Sequence, residues 1–311
     1  MMKHPFLYTR AKSRGKTIFT KEEYKKMIGL SAGEILVKMQ HKDPIYKKMI
    51  ESFSVYFSSD ELLDYITRHA PPREVGEFYQ MLKFVNRNDE IEGVFKALWY
   101  RFLNNDIRIF FIGMLENMEF EDLSLWMHGL KPLTLERLRY YYDKGLPYLM
   151  LKKAGLPKSV IDEIIDASKR NEIGRISFAL YRYYMKMLAQ YPVSIAKILA
   201  DMEIRSLIIK ANLLHLSEEK VKELLKDISK SYAKKFDVKA FKVEEGKGCC
   251  MLHTEAKDFL KYYKSKVNDV EAVIAYLLIK EIQSINLRLL AKHKALGLSE
   301  DEVLSRLIAI R

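Results

Sequence analysis

Apolar residues recur every three or four positions along most of the chain, the spacing of helices that bury one face. The pattern is clearest in the last forty or so residues. Ile274, Leu278, Ile282, Ile285 and Leu289 fall at spacings of 4, 4, 3 and 4 and predict one core-facing helical stripe. Val273, Tyr276, Leu277 and Ile279 spill round the other faces, so the first half of this helix is expected to be buried on most sides and the second half exposed on one. Gly297 is placed to end the helix, because glycine accepts the left-handed backbone of a C-terminal cap. Ser299, Glu300, Asp301 and Glu302 then form a capping box that starts another.

The first 90 residues predict a series of short helices. Thr20 to Glu23, Ser31 to Glu34 and Ser58 to Glu61 are capping boxes, and Asp43-Pro44 supplies a cap followed by proline at the first helical position. Pro71-Pro72 is expected to interrupt the helix that begins near Ser59, with a second helix carrying Phe78, Met81, Leu82 and Val85 on one face. Only 13 Gly and 8 Pro punctuate the chain, mostly between helical patterns, so the fold class is all-α rather than a sandwich or barrel.

Parts of the pattern repeat. The run LHLSEEKVKELL at 214–225 parallels LGLSEDEVLSRL at 296–307, an offset of 296 − 214 = 82. Asp106-Ile107-Arg108 parallels Glu203-Ile204-Arg205, an offset of 203 − 106 = 97. Each copy opens an apolar helix with a polar patch and follows it with a turn and an acid-started helix. Three copies predict three similar helical domains, at 1–125, 126–226 and 227–311, with boundaries near Leu125 and Lys226. Asp106, Glu203 and Asn286 are expected at equivalent positions, with Arg108 and Arg205 beside the first two.

Two blocks frame the chain. The closing block holds Tyr276-Leu277-Leu278, Lys280-Glu281, Asn286-Leu287-Arg288 and the Leu296-Gly297-Leu298-Ser299 turn followed by acids. The opening block holds Tyr8, Arg10, Ala11 and Arg14, then the Thr20 helix start and an acid-rich helix. Together they resemble the C-type rotor subunits of archaeal rotary ATP synthases, a family that includes the d-type subunits of vacuolar (V-type) ATPases. The resemblance implies three related helical domains about a pseudo-threefold axis, closing a hollow funnel. It implies a non-catalytic rotor subunit with no cofactor or metal. Its expected partners are the membrane proteolipid ring, the D- and F-type central-stalk subunits and the cytoplasmic membrane surface. Asn105-Asp106-Ile107-Arg108 and the bulky Phe110-Phe111 depart from the family's pattern in the first copy.

A third domain of about 85 residues is small for comfortable burial, so the helix around Tyr8 to Arg14 is expected to pack on it. Lys280 and Glu281 interrupt an otherwise apolar helix, and a carboxylate there needs a cation. Arg10 and Arg14, one turn apart, are the expected partners of Glu281, with Arg288 as the rival.

Composition bounds what else the chain can do. At 311 residues and 49% hydrophobic it can fill two or three cores. The longest stretch free of formal charge, Met187 to Ala196, is ten residues, against the roughly 18 of a membrane span. The first 14 residues lack the continuous apolar core of a signal peptide, which sets the expected location in the cytoplasm. A net charge of +12 suits an acidic partner, an anionic membrane surface or nucleic acid, and a basic helical nucleic-acid-binding protein is the alternative reading. Basic and aromatic residues interleave at Arg137 to Lys144 and at Lys230 to Lys242, as such binding requires. Lys247, between two glycines, lacks the spacing of a phosphate loop. Cys249, Cys250 and His253 lack a fourth ligand at zinc spacing, and adjacent cysteines do not suit disulfide geometry. His128, His215 and His293 lie near expected helix ends, where the dipole favours them.

Overall fold

The computed structural model describes residues 5–82, 89–191, 194–213, 217–228, 248–264, 269–293 and 296–308. His215, the basic run 230–242 and Lys247 lie outside the described residues, as do the side chains of Cys249, Cys250 and His253. Every regular element among the described residues is helical. None of these helices is long and apolar enough to cross a membrane.

The chain divides into two compact units. Unit 1 comprises Met1–Arg87, Val193–Ile198 and Val243–Arg311; unit 2 comprises Asn88–Pro192 and Leu199–Lys242. Leu125 and Lys226 both fall inside unit 2 and neither marks a border between the units.

Unit 1 opens with α1 (Pro5–Arg14), a 3-10 turn (Gly15–Thr17) and α2 (Lys21–Lys25), then α3 (Ala32–Lys42), α4 (Pro44–Phe53) and α5 (Ser59–Leu82). The local start signals act as expected. Thr20, Ser31 and Ser299 each accept the N–H of the residue three on, while the glutamate there receives the cap's own N–H. Ser58 and Glu61 exchange the same two bonds, and Asp43 Oδ1 caps Ile45 N at 2.8 Å.

The double proline does not break its helix. Helix α5 runs on through Pro71 and Pro72, both buried. A proline withholds one N–H and crowds the carbonyl four residues back. Burial outweighs that local cost here, because α5 packs along the longest helix of the closing block.

That helix forms the axis of unit 1. Unit 2 first contributes α6 (Asp89–Glu116), α7 (Phe120–Ser124), α8 (Leu135–Asp143), α9 (Pro147–Lys153), α10 (Lys158–Lys169), α11 (Ile173–Ala189), most of α12 (Ser194–Leu213) and α13 (Glu218–Ile228). The chain then returns to unit 1 with α14 (Gly248–Lys264), α15 (Asp269–Lys292) and α16 (Glu300–Arg306). Helix α15 packs against α1, α5 and α14. Residues 271–280 of α15 are all buried, and the exposed side begins at Glu281, as the apolar pattern predicts. Past that point the stripe turns. Ile285 and Leu289 are only half buried, while Gln283, Asn286, Leu287 and Leu290 take the core face. Leu287 and Leu290 join Ile35, Met39, Tyr46, Met49, Leu63 and Val303 in one apolar cluster.

The approach of α1 to α14 is close. A Cβ on Gly15 would stand 1.8 Å from Tyr263 Oη. The Tyr263 ring is itself buried, with Lys12 4.3 Å from its centroid and Tyr276 6.2 Å away. It has no room to swing aside. Gly15→Ala is therefore expected to lower stability by about 1–3 kcal/mol through overpacking. A urea titration showing no loss would place Tyr263 elsewhere.

Candidate functional site

Unit 1 encloses a polar network inside its core, built where α1, α3, α4, α5 and α15 converge. Lys280 sits at its centre, on the fully buried half of α15 with 2% of its side chain exposed. Its Nζ lies 2.5 Å from Asp43 Oδ2 and 3.3 Å from Thr17 Oγ1, and 4.8 Å from the Tyr46 ring centroid. Burial alone would push its pKa down. Tyr46, Glu74 and Asp43 outweigh that and hold the ammonium above the ordinary lysine range. Asp43 thus works twice, one oxygen capping α4 and the other facing Lys280. One turn along α15, Gln283 accepts the Phe19 N–H at 2.8 Å and donates to Tyr46 Oη at 3.0 Å.

A second cluster adjoins the first. Glu74, on α5 just past the double proline, is buried and accepts Tyr276 Oη together with Arg14 Nη1 at 3.2 Å. Burial raises the Glu74 pKa, against the pull of Lys280. Arg14 reaches on to Glu77 at 2.7 Å, and Arg10 meets the same carboxylate at 3.4 Å. The opening-block cations therefore satisfy α5 rather than Glu281. Glu281 is half buried at the start of the exposed side of α15, and its charge acts on Arg288 two turns on. The reason lies in the cover of the helix: α15 is enclosed on every face as far as Lys280 and has an open side from Glu281 on. Tyr8, the remaining member of the opening block, lies 5.2 Å from Lys12 Nζ.

Asp106 and Asn286 hold corresponding places in two motifs of identical spacing. Helices α6 and α15 start 269 − 89 = 180 residues apart, and α7 and α16 start 300 − 120 = 180 apart. The turns between them each contain one left-handed residue, Asn117 with φ 51° and Gly297 with φ 63°, again 297 − 117 = 180 apart. Each buried polar side chain tethers the backbone 22 residues downstream. Asp106 Oδ1 accepts His128 N at 2.6 Å and Oδ2 accepts Gly129 N at 3.0 Å. Asn286 Oδ1 accepts Ile308 N at 2.9 Å while its Nδ2 donates to Ile308 O at 2.9 Å. Two facing donors call for a carboxylate; one donor and one acceptor call for an amide. Burial pushes the Asp106 pKa up to about 7 against the backbone N–H groups of His128, Gly129 and Leu130.

Glu203 has a different role. Its carboxylate takes Arg101 Nε at 2.9 Å, and its carbonyl takes Tyr181 Oη at 2.9 Å. Ile204, next to it, is the buried residue of that stretch. Glu203 and Arg108 instead line one cavity of about 280 Å³ between α6, α11 and α12, with Arg101, Asn104 and Tyr181. Arg108 is exposed and bonds Asn105 Oδ1 at 3.2 Å, and Arg205 lies half buried on α12.

The sequence reading missed Asp43, Glu74 and Gln283 as network members. Asp43 carried a signal, since a cap needs only one of its two oxygens. Glu74 and Gln283 carried none that periodicity could show. Among the described residues no three His, Cys, Asp or Glu side chains converge as a metal site. Every acid of the network faces a cation or a hydroxyl donor. Compared with known proteins, the chain matches no family model and no curated protein.

Removing one member of the central pair should be costly. Lys280→Met is expected to lose about 3–5 kcal/mol, because Asp43 stays buried without its cation. Lys280→Met combined with Asp43→Asn should recover part of that loss in a urea double-mutant cycle. Simple additivity would mean that the two do not interact.

The tethers give a pH-dependent prediction. Between pH 3.8 and about 7 the native state keeps a proton on Asp106 that the unfolded chain has released. Its contribution therefore makes stability fall as pH rises through that window. Asp106→Asn should abolish this fall. Asn286→Asp should create one, costing about 1–3 kcal/mol at neutral pH and less in acid, since a carboxylate would face the Ile308 carbonyl. Denaturant titrations across this range, with unchanged slopes for both variants, would refute the assignment.

Proposed function

We propose that the protein is a non-catalytic rotor subunit of an archaeal-type rotary ATP synthase, joining the central stalk to the membrane proteolipid ring and transmitting torque. The observation that carries this reading is the repeated motif. A long helix, a left-handed turn and a short acid-started helix recur at a spacing of 180 residues, each locked by one buried polar side chain. The family resemblance further implies a middle copy at the run around Glu203, whose side chain pairs with Arg101 instead of tethering backbone, and a funnel of three domains about a pseudo-threefold axis. The funnel would rest on the cytoplasmic face of the ring and receive the tip of the stalk. Each charge moved through 100 mV supplies about 2.3 kcal/mol, so a rotor joint carries on the order of ten kcal/mol per ATP. Close-packed helices locked by buried ion pairs suit such a load, because packed interiors deform little.

The test is affinity purification of the tagged protein from detergent-solubilised membranes of its source. A proteolipid and stalk subunits are expected to come with it, and the protein alone should hydrolyse no nucleotide. Tight binding to RNA or DNA with steep salt dependence, and no proteolipid, would replace this reading with the nucleic-acid alternative.

A further inference from the structure

A cavity of about 310 Å³ opens beside α2 and α3 in unit 1. Phe19 and Met27 lie beneath it, both buried. Its walls carry Lys26, Lys38, His41 and Lys42 and a single acid, Glu23. That acid is fully engaged: Oε1 receives Lys42 Nζ at 2.6 Å and Oε2 receives the Thr20 N–H at 2.7 Å. Lys42 is engaged in turn, by Glu23 and by the Phe19 ring at 5.6 Å. Lys26, Lys38 and His41 are exposed and have no acid partner among the described residues.

A concave site lined by one sign of charge concentrates the opposite sign. The C-terminal end of α3 accounts for cations in its last turn, at His41 and Lys42, but the effect fades within a turn. It does not explain why Lys26 of the α2 end and Lys38 line the same cavity. Two ammonium groups without acids match a dianion, and lysine serves phosphate as a point charge. We propose that this cavity binds a phosphomonoester, with the Lys26 and Lys38 ammonium groups attracting its dianion. A soluble sugar or glycerol phosphate and the headgroup of a phosphatidate-type lipid both present this chemistry. The proposal does not rest on the rotor reading, and either can fail without the other.

The test uses the full chain and the variant Lys26→Gln/Lys38→Gln, whose two side chains are exposed and lie outside the core. Calorimetry with glycerol 3-phosphate probes the soluble source. Co-sedimentation with phosphatidylcholine vesicles, with and without phosphatidic acid, probes the lipid source. The full chain is expected to bind at least one probe, and the variant to bind it at least about tenfold more weakly. Binding to glycerol 3-phosphate without capture on phosphatidic acid vesicles assigns a free phosphomonoester. Capture that requires phosphatidic acid and is lost in the variant assigns the headgroup. Binding of neither probe by the full chain, or equal binding by a variant with an unchanged circular dichroism spectrum, would overturn the proposal.

Discussion

The fold of unit 1 depends on a charge being tolerable in its core. Lys280 is buried by helices on several sides, and an ammonium removed from water costs several kcal/mol unless its surroundings replace the lost hydration. Asp43, Thr17, the Tyr46 ring and the field of Glu74 do so, and they come from the turn after α1, the start of α4 and the middle of α5. The requirement is stringent because a hydrophobic contact tolerates sliding whereas a 2.5 Å ion pair does not. Lys280 thereby sets the register of α15 against α3, α4 and the turn after α1.

Much of this architecture was legible in the sequence. Caps are local, so four boxes and the Asp43 cap could be placed from a few residues each. The buried first half of α15 was also legible, because apolar residues on every face leave it no wet side. Three readings failed for one reason, that tertiary contacts were invisible. Pro71 and Pro72 read as a break, yet burial against α15 carries α5 through them. Ile285 read as core, yet it is half exposed while Gln283 and Asn286 take that face, because each has hydrogen-bond partners waiting. Glu281 read as the partner of Arg10 and Arg14, yet those cations meet Glu74 and Glu77, and the buried ion pair belongs to Lys280, whose partner Asp43 lies 237 residues away and reads locally as a helix cap.

The polar signatures were found more readily than their meaning. Asp106 and Asn286 stood out as polar residues in apolar helices, but only geometry reveals that both tether a segment 22 residues on. The choice between acid and amide follows from what the tethered backbone offers, two N–H groups in one case and an N–H with a carbonyl in the other. Conserved spacing with altered chemistry is what a duplicated motif retains when each copy is tuned to its own loop. Glu203 illustrates the limit of pattern matching: it sits in the same kind of tripeptide as Asp106 and shares none of its contacts.

Unit 1 is also assembled from chain segments that leave the ribosome far apart in time. Asp43 and Lys280 are separated by 237 residues, and all of α6 to α11 is synthesised between them. Until α15 emerges, the apolar faces of α3, α4 and α5 lack the helix that covers them. Unit 2 has most of its helices in hand by then. Birth order therefore favours an intermediate with the later-numbered unit formed and the first-made segment waiting, the state in which exposed apolar surface invites chaperones. The same long separation makes the finished unit hard to undo piecemeal, since neither α1 nor α15 can leave without breaking the buried ion network.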